Sequence, residues 1–199
     1  FNTSVTGFRS EGNRLTGMTD QYGKERTADI FLVNADAAVF RGRVFGRKAY
    51  SEQKLDRMDW TMGYLTFYVG IDCRITGVNH HNYYLGTNFE EYATRLLESP
   101  GTLQKPYYYV NVLSASNPGC APEGCESLFF VCPVPNLLHK PNWDDRDIMV
   151  DSIIDDFSLR IGKDIRPHIV TRTVYTPGDW RDQFDLHRGS GLGLAHTMG

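Results

Sequence analysis

The chain has 199 residues, long enough to close one sizeable hydrophobic core. Its formal charge of -3 offers no basic surface for nucleic acid or anionic lipid, and no apolar run reaches the length of a membrane span. Aromatic residues are plentiful, with 11 Tyr, 11 Phe and 3 Trp, while the four cysteines (Cys73, Cys120, Cys125 and Cys132) form no C-x-x-C pair and read as reduced, structural thiols in a cytoplasmic protein.

Residues 2–8, 14–19 and 25–27 alternate weakly around polar and glycine turns, which predicts a small antiparallel meander. The continuous apolar run at 30–33 reads as a strand buried on both faces, ending at Asn34, Ala35 and Asp36, a stretch suited to a strand end and a helix cap. One or two helical turns are expected over 37–45, and a short helix capped by Ser51 over 51–58. Residues 62–72 carry the strongest strand signal of the chain: Leu65, Phe67, Val69 and Ile71 point one way, Tyr64, Thr66 and Tyr68 the other. A second strand is expected at 79–86, paired with the first as a central antiparallel hairpin.

Downstream, residues 88–98 predict an amphipathic helix capped by Asn88, with Phe89, Tyr92, Ala93 and Leu96 on one stripe. Strands are expected at 106–113 and 127–134, the latter ended by Pro133 and Pro135, with a loop rich in Pro, Gly, Ser and Asn between them. The best helix spans 143–161, with Val150, Ile153, Ile154, Phe157 and Ile161 on one stripe and Gly162 as its stop. A strand at 165–175 leads to Thr176-Pro177-Gly178-Asp179, a helix start with Thr as cap and Pro at the first position. A helix over 177–184, a glycine-rich turn and a further helix from 194 complete the reading. The fold class is α+β, a mixed or mostly antiparallel sheet with helices on one face. Both ends look cut, so the chain reads as a piece of a longer protein.

Few motifs carry chemistry by themselves. Gly189, Gly191 and Gly193 are spaced G-x-G-x-G, which is neither a dinucleotide loop nor a P-loop and points to a turn or close packing. His80 and His81, adjacent on a strand, should face opposite ways, and with no third ligand at a suitable spacing no metal site is expected. The acidic runs 144–147 and 155–156 suit a solvated helix surface. The aromatic set Tyr64, Phe67, Tyr68, Tyr83, Tyr84, Tyr107, Tyr108 and Tyr109 is either ordinary core or the lining of a long apolar pocket for a flat or polyunsaturated ligand.

Four stretches, in order, resemble one family. VNAD at 33–36 follows an apolar run. The strand 65–72 ends in G-x-D and is followed by His80-His81. Residues 114–136 contain A-P-E-G and then VCPVPN, and 175–193 contain T-P-G-D and R-G-S-G-L-G. Together they resemble the FAD-dependent carotenoid desaturases of the phytoene desaturase type, within the amine-oxidase-like flavoprotein group. Asn117 stands where that pattern has Asp.

The resemblance implies a parent enzyme that binds FAD and desaturates a long polyene by hydride transfer to the flavin. It implies a remnant of the FAD-binding domain at 1–36, a substrate-binding domain at 37–185 and a return toward the FAD-binding domain at 186–199. Val5 would meet the adenine, and Asn34, Ala35 and Asp36 would lie at the crossover beside the flavin. Tyr64, Tyr68, His80, His81 and Gly86 are the implied substrate pocket, with Asp179, His187, Gly189 and Ser190 supporting its flavin-facing end. No catalytic acid or base is implied. The chain alone is expected neither to hold FAD tightly nor to turn over. Peripheral membrane attachment of the parent and self-association of this chain are further expectations. A carotenoid isomerase, saturase or oxidase on the same scaffold, or a binding domain for an apolar ligand, stays open as an alternative.

Overall fold

The computed structural model describes residues 2–86, 88–98 and 107–196. The expected meander forms: β1 (Val5–Glu11), β2 (Arg14–Asp20) and β3 (Glu25–Arg26) make an antiparallel sheet. Asp20 closes its second turn, where the carboxylate accepts from the Tyr22 and Lys24 amides at 3.0 Å. The run at 30–33 is not a strand. Ile30 is 86% and Leu32 94% exposed. A doubly buried strand needs neighbours on both edges and both faces, and no strand among the described residues pairs with this run.

Helix α1 (Ala37–Arg43) starts as expected, with the Asp36 carboxylate accepting from the Ala38 and Val39 amides. α2 (Glu52–Leu55) is a single turn, and Ser51 makes no side-chain cap bond to it. Ala38, Val39, Leu55 and Trp60 close a small core between these helices.

The main sheet has five antiparallel strands: β4 (Gly63–Ile71), β5 (His81–Tyr84), β6 (Tyr108–Val112), β7 (Glu126–Val134) and β8 (Ile169–Tyr175), in the order β5-β6-β7-β4-β8. The expected β4–β5 hairpin is therefore wrong. β4 and β7 match in length and share nine register pairs, whereas the four-residue β5 pairs only with β6 at the edge. Pro133 does not end β7 but sits inside it opposite Tyr64, beyond the last residue that β6 pairs.

Helix α3 (Phe89–Glu98) is capped by Asn88, whose side chain accepts from the Glu91 amide at 3.1 Å. Helix α4 (Arg146–Ile161) lies across one face of the sheet and ends at Gly162, which takes the left-handed φ of 68°. Val150, Ile153, Ile154 and Phe157 of α4 are buried against Leu65, Phe67, Val69, Ile71, Leu128 and Phe130. Each such side chain contributes about 1.5–3 kcal/mol on leaving water. The acidic face of α4 is solvated and tied to the next segment. Arg172 pairs with Asp147 and Asp151, and Arg166 with Asp155.

Helix α5 (Pro177–Phe184) opens with the full capping box expected at Thr176 and Asp179. No helix forms at 194–196. Leu194 bridges Trp60 and the Ala195 amide donates to the Asp59 carbonyl, so extended backbone pairing takes this segment; the rest of that expected helix lies outside the described residues. Among the described residues no helix is long and apolar enough to cross a membrane, the cysteines are free, and no group of His, Cys, Asp and Glu could hold a metal.

Candidate functional site

Strand alternation gives the main sheet two unlike faces. The face under α4 is filled. The other presents a lattice of side chains in cross-strand register. One row runs Tyr175, Thr66, Val131, Tyr109 and Tyr83 across β8, β4, β7, β6 and β5, and the next runs Thr173, Tyr68, Phe129, Asn111 and His81. Tyr64 and Pro133 stand side by side one step further toward α3. Tyr68 stacks on Phe129 at 4.6 Å between ring centroids and meets Tyr175 edge-on at 6.1 Å.

At the α3 end this face deepens into a cavity of about 570 Å³. Tyr64, Tyr83, Tyr109, Val131 and Pro133 form its floor, with Phe89, Tyr92 and Leu96 of α3 along its side. Tyr92 is fixed by stacking on Tyr107 at 4.4 Å and by donating its hydroxyl to the Pro133 carbonyl at 2.7 Å. Burial raises the pKa of the Tyr92, Tyr64 and Tyr68 hydroxyls. The walls are therefore neutral, flat and apolar. Tyr83, Leu85 and Phe89 leave their rings and side chains exposed at the mouth.

Several residues implied by the family resemblance gather here. Tyr64 lines the cavity. Gly86 lets Tyr107 approach, since a Cβ there would fall inside that ring. Tyr68 shares the face one row away but borders a different hollow, of about 350 Å³, with Cys120, Cys125 and Thr171. His81 accepts or donates at the Tyr109 hydroxyl, 2.6 Å from its Nδ1. His80 precedes β5 and so escapes strand alternation. Its ring meets that of His81 edge-on at 4.3 Å, not on the opposite face as expected, and its Nδ1 is bound to the Ser116 hydroxyl.

The remaining implied residues stand elsewhere. The Asp179 carboxylate is committed to the Thr176 amide and hydroxyl, at 2.8 and 2.7 Å. The His187 ring packs tilted against Trp60, 4.6 Å between centroids, and borders a polar cleft with Arg43, Asp56, Asp185 and Arg188. Gly189 has a φ of 62° and packs on the Pro177 carbonyl, and Ser190 is fully buried in the same turn, bridged to Gly63. Gly191 presses directly on the Tyr64 ring. The glycine-rich turn is thus a close-packing device behind the cavity floor. Val5 lies in the meander, opposite Asp20.

For the flavin, Asn34 and Ala35 are exposed and the Asp36 carboxylate is taken up in capping α1. Among the described residues no glycine-rich turn leads from a strand to a helix N-terminus as a phosphate cradle. These residues do not build a flavin site on their own.

The sequence does not announce α3 as part of the site, because its stripe of Phe89, Tyr92 and Leu96 is that of any core-facing helix face. Thr66 and Asn111, buried and polar on the open face, also gave no signal.

No family model matches the chain. The resemblance to carotenoid desaturases is supported by curated relatives. The chain is 26% identical to a phytoene desaturase of Fusarium fujikuroi over 206 residues, covering 93% of this chain and 36% of the relative. It is 27% identical to an all-trans-zeta-carotene desaturase of Myxococcus xanthus, covering 98% and 38%. It is 23% identical to a lycopene-forming phytoene desaturase of a Paracoccus strain, covering 97% and 40%. The chain spans between a third and two fifths of the length of these relatives. A solved oxidoreductase structure from Methanosarcina mazei overlaps 87% of the chain and 36% of its own, at 16% identity and a TM-score of 0.46.

Proposed function

We propose that this chain is the substrate-binding part of a larger FAD-dependent desaturase acting on a long polyene, phytoene or a related carotenoid precursor. The observation that carries the reading is the open aromatic face running into an apolar cavity of about 570 Å³. A conjugated or skipped polyene is flat and without polar groups along its length, and stacked rings match it without asking for hydrogen bonds. Similarity to phytoene and carotenoid desaturases along nearly the whole chain supports the same reading.

The flavin, held elsewhere in the larger protein, supplies the redox chemistry. The residues of this chain bind the polyene, hold it flat between Tyr64, Tyr83 and Tyr109, and exclude water. The exposed Tyr83, Leu85 and Phe89 at the mouth suit contact with a bilayer, in which such substrates dissolve. The bare apolar run at Ile30 and Leu32 suits self-association of the isolated chain.

The test is product analysis in cells that accumulate phytoene and express the full-length protein of which this chain is a part. A desaturase lengthens the chromophore and shifts absorption to the red. Changed geometry at unchanged conjugation would mean an isomerase, and shortened conjugation a saturase; either would overturn the reading. Tyr64→Ala and Tyr109→Ala together should lower product without loss of the fold.

A further inference from the structure

The cavity beside α3 and the hollow beside Tyr68 lie on the same face of the sheet and on the same pair of strands. Along β7 the cavity lining reaches Val131, which pairs with Thr66. The hollow begins at Tyr68, in the next row along β4, and continues to Gly70, Ser127 and Thr171. Strand alternation sets Tyr64, Thr66, Tyr68 and Gly70 on one side, so the two spaces occupy neighbouring rows. They meet at the stacked rings of Tyr68 and Phe129, and Tyr68 is 41% exposed there. From Tyr64 to Gly70 the seam runs along about 20 Å of extended strand.

The far hollow has a built end. Cys120, Ala121, Pro122 and Cys125, from the loop between β6 and β7, form its wall. The Cys125 amide donates to the Pro122 carbonyl at 3.0 Å, and the Ser127 amide donates to the Ser114 hydroxyl at 3.0 Å. Glu126 is the charged residue of this lining, and its carboxylate is already taken by the Ser114 hydroxyl and by Arg74. The wall is therefore pinned, and no free charge faces an apolar guest.

We infer that one extended polyene occupies both spaces, with its far end stopped by the Cys120–Cys125 loop, so that the site selects ligands by length. A chain of carotene length fills cavity and hollow; a retinoid, half as long, fills the cavity alone. Affinity grows with the apolar surface removed from water, and the second space adds such surface only for the longer chain. The inference rests on the polyene-binding reading above and narrows its substrate class.

The experiment compares lycopene with all-trans-retinol in detergent micelles, with binding of each followed by quenching of tryptophan fluorescence. At nine-tenths occupancy of each probe, Cys120 and Cys125 are alkylated with iodoacetamide and read by peptide mass mapping. Lycopene should slow their alkylation about tenfold, in proportion to the unoccupied fraction. Retinol should leave the rate as it is in empty micelles. Ser127→Trp, checked for its fold by circular dichroism, sets a ring in the hollow and should lower the affinity for lycopene to near that for retinol. Alkylation that bound lycopene does not slow would overturn the inference and leave the polyene-binding reading standing. Equal protection by retinol, or lycopene affinity unmoved in Ser127→Trp, would also overturn it. Binding of neither probe would overturn both readings.

Discussion

The two faces of the five-stranded sheet are made by the same strands, one residue out of step, yet they serve different ends. The face under α4 is aliphatic with a few rings: Leu65, Val69, Ile71, Leu128, Ile153 and Phe157 are each within 2% of full burial. The opposite face is built from Tyr64, Tyr68, Tyr83, Tyr109 and Phe129, and it leaves Tyr83 73% and Tyr68 41% exposed. Branched aliphatics interlock and exclude everything else. Flat rings with polar tips tolerate a half-covered state and accept a flat guest. Alternation thus divides one sheet into a filled side and an open side, and the open side is the one proposed to receive the polyene.

Substitutions should separate the two sides. Phe157→Ala, on the filled side, removes a ring stacked edge-on against Phe130 at 5.3 Å and should cost about 3–5 kcal/mol. It should appear as a large drop in the urea midpoint. Gly191→Ala pushes a methyl group into the Tyr64 ring from behind the cavity floor. It should cost about 1–3 kcal/mol and weaken polyene binding together, since Tyr64 has to move. Tyr68→Ala, on the open side, should change the stability by less than about 1 kcal/mol, and so move the midpoint little, while disturbing only the Phe129 and Tyr175 rings. A midpoint change for Tyr68→Ala as large as that for Phe157→Ala would break the comparison.

The smallest effects are electrostatic. Arg166 hydrogen-bonds Asp155 and holds its carboxyl below the usual value of 3.8. A depressed folded pKa means that this contribution is complete above the ordinary carboxylate range and is lost as pH falls through the lowered value. Both groups are largely exposed, so Arg166→Gln should cost well under about 1 kcal/mol at pH 7, less in high salt, and nothing measurable in strong acid. Thiol chemistry sharpens the contrast between the faces. Cys132 is fully buried on the filled side and burial pushes its thiol up to about 12. It should resist iodoacetamide at pH 8 in the folded chain, while the exposed Cys120 is alkylated, as peptide mass mapping would read.

Much of this arrangement was legible in the sequence, because period and capping are local. The alternation through Phe67 located β4, the stripe through Phe157 located α4, and the Thr176–Asp179 box placed α5 within a residue. Pairing partners are not local, and β4 chose the equally long β7 over the nearer β5. The apolar run at 30–33 has strand composition, but a buried strand depends on partners, and no strand among the described residues pairs with it. The site was half legible. Aromatic clustering marks the open face, while the contribution of α3 to the cavity depends on how a helix docks at the end of a sheet.

The most direct test of the account is two-dimensional NMR of the chain titrated with all-trans-retinol in detergent micelles. The receiving-face reading predicts shifts concentrated on Tyr64, Tyr83, Tyr109 and α3, with α4 and its partners Leu65 and Phe130 unmoved. Shifts centred on α4, or none beyond those caused by empty micelles, would contradict it.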